Sequence, residues 1–271
     1  MKIIISHDVD HCKWTDHFKD LFIVKFYVKT VTYLLTGKIS LQTTWKRFVL
    51  PFKNRQHRLP ELCAFDREQE IPASYFVGMD NALGLMYGRS DAQKMIEYIN
   101  STGYETGVHG IAFRDPLKIR HEFELYQKLA GKPAKGMRMH YLRWQEDTPS
   151  MLIAAGYQFN STQYKTADPS CMDDGRYYDF PVCMMDVYEL GADEQDPGKA
   201  LAGSMQKIRQ AAEQGLQYYT IIFHDNYFDS AYPQFEYWYK NLVTSLKASG
   251  FEFTDFSGAI RELKNKAAVP G

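Results

Sequence analysis

A short motif of acidic residues and histidines, SHDVDH, follows the first apolar run of the chain. Asp8 and Asp10 stand in an Asp-x-Asp spacing between His7 and His11, directly after the run KIII at residues 2–5. One carboxylate of such a pair can bind a divalent metal while the other accepts a proton from a metal-bound water. Either aspartate could instead cap a turn, since Asp often hydrogen-bonds the backbone where a strand ends.

Three later apolar runs also end in residues that can do chemistry. His109 closes YETGVH, and imidazole together with carboxylate is a common ligand set for zinc. His224 closes IIFH, and histidine gives and takes protons near neutral pH. Arg138, in GMRMHY, keeps its charge and could orient a carboxylate, although a surface salt bridge is the alternative role.

These residues require a scaffold that brings the ends of several strands together. Runs rich in Ile, Val, Tyr and Phe predict eight strands, and between several of them the sequence has helical periodicity. This alternation predicts a mainly parallel sheet closed into a (β/α) barrel, with an open doubly wound sheet as the alternative. In both folds the chemistry collects at the carboxyl ends of the strands. The predicted strands are 2–5, 71–78, 104–109, 136–142, 157–161, 177–184, 216–224 and 251–256, and the clearest helices are 91–103, 147–156, 197–215 and 233–250.

Composition is typical of a globular protein and predicts a single domain over residues 1–271. Hydrophobic residues make up 45% and charged residues 24%, and the formal net charge of −1 gives no overall attraction to nucleic acid. The four cysteines show no Cys-x-x-Cys spacing, which predicts reduced thiols. The few apolar residues before His7 are too short for a signal peptide. We therefore expect a cytoplasmic protein.

A basic segment interrupts the alternation in an insertion of about residues 12–70. Residues 21–58 contain eight Lys or Arg and no Asp or Glu. Two interpretations are open: a helix packed deep against the barrel, or a surface that meets an anionic glycan or the inner face of a membrane. Two lysines within the short apolar run argue against a transmembrane span. A polar stripe at i, i+4, i+7 and i+11 of the predicted helix consists of Lys25, Lys29, Thr32 and Thr36.

Five motifs in order, SHDVD, PASYFVG, ETGVHG, GMRMHY and IIFHD, resemble those of the polysaccharide deacetylases, which include chitin, peptidoglycan and nodulation-factor deacetylases. The resemblance extends from residue 1 to about 256, apart from the basic insertion. It implies a distorted (β/α) barrel of seven or eight strands. It also implies removal of N-acetyl or O-acetyl groups from sugars with a divalent metal ion.

The resemblance implies a catalytic role for each matching position. Asp8 resembles the catalytic base and Arg138 the residue that orients it. The backbone N–H of Tyr141 corresponds to an oxyanion donor. His224 resembles the general acid, and Asp186, in PVCMMDVYEL, the carboxylate that tunes this acid.

The metal ligands match the family less completely. Asp10 resembles the metal-binding carboxylate, and His109 the first histidine of a His-x-x-x-His motif whose second position here is Phe113. A site that lacks one ligand binds metal weakly unless another group replaces it. His140 is the predicted replacement, and either histidine flanking the Asp-x-Asp pair is the alternative. A third possibility is that no third ligand exists.

Together these features predict a metal-dependent hydrolase, with zinc as the expected ion. The expected reaction removes an N-acyl group, foremost acetyl, from an amino sugar of a cell-surface polysaccharide or its precursor. A metal-independent amide hydrolase and a catalytically silent glycan-binding barrel are the alternatives. Presence of the aspartate pair together with His109, Arg138 and His224 disfavours the silent barrel.

Overall fold

The structure, a computed structural model, describes residues 1–191 and 196–268. Within these ranges the chain forms ten β-strands and ten α-helices. The strands are β1 (Lys2–Val9), β2 (Ser74–Gly78), β3 (Glu105–Gly110), β4 (Gly136–Met139), β5 (Phe159–Asn160), β6 (Ser170–Met172), β7 (Tyr177–Asp179), β8 (Val182–Met185), β9 (Tyr218–Ile222) and β10 (Glu252–Thr254). The helices are α1 (Phe22–Leu35), α2 (Leu41–Val49), α3 (Leu59–Glu68), α4 (Arg89–Ser101), α5 (Pro116–Ala130), α6 (Thr148–Ala155), α7 (Asp186–Leu190), α8 (Pro197–Glu213), α9 (Pro233–Ala248) and α10 (Phe256–Ala268).

The strands form one curled sheet that is parallel along most of its length. Seven strands follow one another in the order β5-β4-β3-β2-β1-β9-β8, and every neighbouring pair among them is parallel. A parallel bridge between Tyr164 and Val182 links the segment after β5 to β8 and so joins the two ends of this run. The distorted (β/α) barrel predicted from the sequence is therefore confirmed, and the open doubly wound sheet is wrong. The single-domain prediction for 1–271 also includes 192–195 and 269–271, which lie outside the described residues, and it stays a prediction.

The first strand shows why its apolar run ends in charged residues. Successive side chains of a strand point to opposite faces. Ile3 and Ile5 pack in the large core cluster shared with the helices, whereas Ile4 packs with Phe76 and Phe256 in a separate cluster. The inward series that starts at Ile4 continues through positions 6, 8 and 10, so both aspartates of the motif lie on the inner face of the barrel.

One predicted strand is divided in the structure. Residues 177–184 form β7 and β8, which are separated by Phe180 and Pro181. Proline lacks the N–H that a continuous ladder needs. The antiparallel partner of β7, the short exposed strand β6, was not predicted from the sequence.

The basic insertion forms three helices between β1 and β2. Of the fourteen residues of α1, all described, only Thr30 and Tyr33 are buried, so the interpretation of a deeply buried helix is wrong. α1 packs against α2, and the Tyr27 hydroxyl donates to the carbonyl oxygen of Phe48 at 3.2 Å. No helix in the described part of the chain combines the length and the apolar character that a transmembrane span requires.

Close packing at the start of β4 gives a first testable prediction. A Cβ added at Gly136 would lie 2.0 Å from Cζ of Phe159, whose ring is buried and stacks on Phe256 at 4.6 Å. Because this ring has no room to move, we expect Gly136→Ala to lower the free energy of unfolding in urea by roughly 1–3 kcal/mol.

Gly203→Ala is the matched control for this substitution. Gly203 lies within α8 and has no neighbour within 4 Å of an added Cβ. Removing a helical glycine there should raise the free energy of unfolding by about 0.5–1 kcal/mol. Equal effects of the two substitutions would contradict the packing described for β4.

Candidate metal and catalytic site

One cavity of about 370 Å³ is lined by six of the predicted residues, which come from four strand ends: Asp8, Asp10, His109, His140, Tyr141 and His224. Asp8 lies in β1, Asp10 directly follows that strand, and His109 lies in β3. His140 follows β4 directly, and His224 follows β9. The parallel register makes this possible because it places these strand ends at one edge of the sheet.

Asp10, His109 and His140 form a group that can hold a metal ion. Oδ1 of Asp10 lies 3.1 Å from Nε2 of His109 and 3.3 Å from Nδ1 of His140, and the two nitrogens are 3.0 Å apart. In a tetrahedral zinc site with bonds of about 2.0–2.2 Å, the ligand atoms are roughly 3.3–3.5 Å apart. The observed spacing is therefore close to that of three ligands around one ion.

Hydrogen bonds outside the triad fix which nitrogen of each histidine faces its centre. Nδ1 of His109 donates to the carbonyl oxygen of Arg138 at 3.1 Å, and Nε2 of His140 donates to that of Leu83 at 3.2 Å. In the neutral rings, the lone pairs of the other two nitrogens then face each other. Such outer partners are typical of metal-binding histidines.

The electrostatics of the triad require a positive charge among its donor atoms. Oδ1 of Asp10 is buried and has no hydrogen bond of acceptable geometry within the described residues. Burial opposes ionisation of Asp10, yet the two histidine rings and the charge of His224 hold its pKa well below the usual range. Burial likewise opposes a charge on His140, but Asp10 raises the pKa of His140. A proton or a metal ion satisfies these atoms, and the donor set fits a metal ion.

A strained turn brings His140 into the site. His140 begins a 3-10 turn in which Tyr141 and Leu142 have φ of 59° and 50°. Left-handed conformations of non-glycine residues cost of order 1–3 kcal/mol and cluster at functional sites. The turn also places Tyr141 at the cavity wall, where its ring packs on that of His140 at 4.3 Å.

Phe113, which stands at the position of the family's second histidine, lies outside the residues that line the cavity. Its ring packs beneath the guanidinium groups of Arg114 and Arg143, 5.2 and 5.0 Å from the ring centre. It therefore belongs to a cation–π cluster on the loop after β3.

The two alternative ligands beside the aspartates face elsewhere. His7 is fully buried on the outer face of β1, where Nδ1 donates to the carbonyl oxygen of Phe223 at 2.9 Å and Nε2 lies 3.0 Å from Oδ2 of Asp66. His11 borders the cavity, but its Nδ1 is 3.0 Å from Nε2 of His17. Among the described residues, the only group within metal-binding geometry is the triad.

Arg138 lies at the centre of the barrel and orients Asp8. Its Nη1 donates to Oδ1 of Asp8 at 3.1 Å and to Oγ of Ser6 at 2.8 Å, and its Nε and Nη2 donate to the carbonyl and hydroxyl oxygens of Ser161 at 2.7 and 2.8 Å. The guanidinium also lies 4.5 Å above the ring of Phe76. Arg138 is therefore a buried residue with satisfied donors, and the surface salt bridge considered for it is wrong. Its contact with Asp8 uses one carboxylate oxygen.

Asp186 orients His224 at the wall of the cavity. Nδ1 of His224 donates to Oδ1 of Asp186 at 2.8 Å, and the backbone N–H of His224 donates to Oδ2 at 2.8 Å. Nε2 lies 3.8 Å from Oδ2 of Asp10. Burial works against the charged imidazole, but Asp186 and then Asp10 and Asp8 outweigh it and raise the pKa of His224 to about 10.

Sequence reasoning missed the two serines that hold Arg138. Ser6 lies within the apolar β1, and Ser161 directly follows β5. A hydroxyl in an otherwise apolar inward-facing position was the available signal for Ser6. For Ser161 the available signal was its position as a polar residue at the end of the predicted strand 157–161.

Comparison with known proteins rests on the fold alone. No family model matches the sequence, and no curated protein matches it either. A solved structure from Mycobacterium smegmatis, described as a polysaccharide deacetylase, is 17% identical, with a TM-score of 0.69 over 99% of this chain and 92% of that chain. A second, from Pseudomonas aeruginosa PAO1 and of the same description, is 10% identical, with a TM-score of 0.65 over 99% and 92%. The structure of an allantoinase, Puue, is also 10% identical, with a TM-score of 0.62 over 96% and 88%. The resemblance seen in the motifs is thus confirmed at the level of the fold: this chain has the fold of the polysaccharide deacetylases.

Proposed function

We propose that this protein is a metal-dependent hydrolase that removes an N-acyl group, foremost acetyl, from an amino sugar of a cell-surface polysaccharide or its precursor. One observation carries the proposal: three metal-binding donors line a single cavity together with an oriented carboxylate, Asp8, and an oriented imidazole, His224. Solved structures of this fold that are described as polysaccharide deacetylases support a carbohydrate substrate.

Asp10, His109 and His140 would hold the metal, and zinc is the ion that we propose because its usual protein ligands are histidine nitrogens and carboxylate oxygens. A bound divalent cation supplies Lewis acidity, which polarises the acyl carbonyl and favours deprotonation of water. Three protein ligands leave room for water and substrate.

Asp8 acts as the base in this proposal. Arg138 holds one oxygen of the Asp8 carboxylate, and Asp8 lines the cavity. In the reaction the water oxygen bonds to the acyl carbon, and the proton of the water passes to Asp8. The backbone N–H of Tyr141 is proposed to bind the oxygen of the acyl group as negative charge develops on it.

His224 acts as the acid. With Nδ1 bound to Asp186, its Nε2 lies toward Asp10 in the cavity, and Asp186 raises the pKa of His224 against the effect of burial, which favours the protonated ring. As the carbon–nitrogen bond breaks, Nε2 donates its proton to the departing amine. Asp186 is a positioning residue, since it acts through His224.

An amide hydrolase that works without metal is the rival function. The observation that favours it is the allantoinase of the same fold, because it shows that this fold is not confined to deacetylases. Loss of acyl release on chelation, with recovery on addition of zinc, distinguishes the two.

The four cysteines are free thiols in the structure, but the cytoplasmic location stays a prediction.

Metal affinity tests the role of His140 against that of Phe113. We expect His140→Ala to weaken zinc binding by more than the roughly 10–100-fold that loss of an outer-shell partner costs. Phe113→His should change the affinity little, because the ring of Phe113 packs against Arg114 and Arg143 and does not line the cavity. Competition titration with a chromogenic chelator measures both variants. Unchanged affinity in His140→Ala, with a large gain in Phe113→His, would indicate a degenerate site.

Substitutions of Asp8 and Asp10 distinguish the role of the base from that of the metal ligand. Asp8→Asn should slow acetate release from N-acetylated amino sugars by about 10²–10⁴-fold, the usual contribution of a general base, while zinc content stays that of the wild type. Asp10→Asn should lose both zinc and activity, because it removes a ligand. Acetate release and zinc content are measured on the same preparations.

Asp174→Asn is the control because Asp174 is exposed and lies outside the site. Thermal melting checks that Asp8→Asn is folded, since the substitution leaves the buried Arg138 without its carboxylate. Near-normal turnover of a folded, zinc-loaded Asp8→Asn variant would show that Asp8 is not the base.

A further inference from the structure

The outer side of α1 exposes a row of large apolar side chains. Val24, Val28, Val31 and Leu35 are 56, 61, 40 and 81% exposed, and their i, i+4, i+7 and i+11 spacing puts them on one side of the helix. Leu41 and Trp45, one turn apart on α2, are 75 and 72% exposed. Single exposed apolar residues are ordinary, but a contiguous row of them marks a contact surface. We call these six residues the apolar ridge.

The charge around the apolar ridge is of one sign. Residues 21–58 contain eight basic and no acidic residues, although the whole chain has a formal net charge of −1. Arg55 and Arg58 pair with Glu61 and Asp229. Lys25 and Lys29 are exposed on α1. At 100° per residue they lie between the apolar ridge and the inner side of the helix.

The inner side of α1 borders a second cavity beside the catalytic one. This cavity measures about 710 Å³, and α1 contributes five residues to its wall: Phe22, Lys25, Phe26, Lys29 and Thr30. His11 and Tyr227 line both cavities, so the second cavity adjoins the catalytic one. A surface that binds the apolar ridge would therefore contact α1, the helix that borders the second cavity.

We propose that the α1–α2 hairpin docks on an anionic lipid bilayer. Apolar side chains flanked by lysines are the composition by which interfacial helices bind such membranes. A second copy of the chain is a poorer partner, because face-to-face contact would bring two basic segments without acidic residues together. Docking brings the cavity beside α1 close to substrates held in the membrane. We therefore infer that the substrate is a membrane-anchored acylated amino sugar, an inference that rests on the proposed function.

Co-sedimentation with lipid vesicles tests the docking. We expect binding to phosphatidylcholine vesicles that contain phosphatidylglycerol, little binding to phosphatidylcholine alone, and steep weakening as salt rises. Lys25→Gln and Lys29→Gln should each weaken binding about fivefold, and Val28→Asp should reduce it further. Leu117→Asp and Lys118→Gln are the matched controls, since both residues are exposed on α5, and they should bind as the wild type does.

Several results would overturn the docking proposal. The first is no binding to vesicles at low salt, and the second is an equal loss of vesicle binding in the ridge variants and the control variants. The third is that the protein does not bind vesicles but forms a dimer in sedimentation velocity, and that Val28→Asp abolishes this dimer. Binding to a soluble anionic polysaccharide that competes fully with vesicles would identify a glycan surface instead.

A second set of measurements separates docking from catalysis. Asp8→Asn should bind vesicles normally, and Val28→Asp should release acetate normally from soluble acetylated amino sugars. With an N-acetylated glycolipid in anionic vesicles, Val28→Asp should release acetate more slowly than Leu117→Asp. Equal rates for these two variants would overturn the inference of a membrane-anchored substrate, whatever the outcome for the proposed hydrolase.

Discussion

The alternation of side chains along β1 determines the arrangement of the whole site. Ile4 packs in the apolar cluster of the barrel, and the same face then carries Ser6 and Asp8, which bind Arg138. Two residues further, Asp10 meets the histidines from the ends of β3 and β4. Because the period is two, a shift of the strand by one residue would put His7 inside and both aspartates outside. The strand therefore determines which of its apolar side chains pack inside the barrel and where its charged side chains lie.

Burying these charges is costly unless each one has partners. Arg138 is supported by two serines, an aspartate and an aromatic ring, so removing any single partner leaves the others. The triad differs, because its donor atoms face one another with no hydrogen bond to Oδ1 of Asp10 within the described residues. A cation that binds only the folded protein would bind these donor atoms. It would thereby stabilise the fold by mass action. The same few atoms thus link metal binding, stability and the proposed chemistry.

The sequence predicted those site residues that could be recognised from their immediate neighbours in the chain. Asp10, His109 and His224 each end an apolar run, and parallel strands make such ends converge. His140 was the predicted third ligand, but its position depends on a left-handed turn at Tyr141. The sequence has no glycine at this position that would have predicted the turn. For α1, helical periodicity could not decide which of two apolar sides faces the barrel, since Phe22 and Phe26 lie opposite Val24 and Val31. Tertiary contacts decide that choice, and they leave the valines exposed.

The position of zinc in a crystal of the metal-loaded protein tests the central claim most directly. Anomalous scattering at the zinc edge should give one strong peak, about 2.0–2.2 Å from Oδ1 of Asp10, Nε2 of His109 and Nδ1 of His140. Asp8 and His224 should lie beyond bonding distance of the peak. A peak at another group of residues, or a loaded site from which His140 has turned away, would contradict the account.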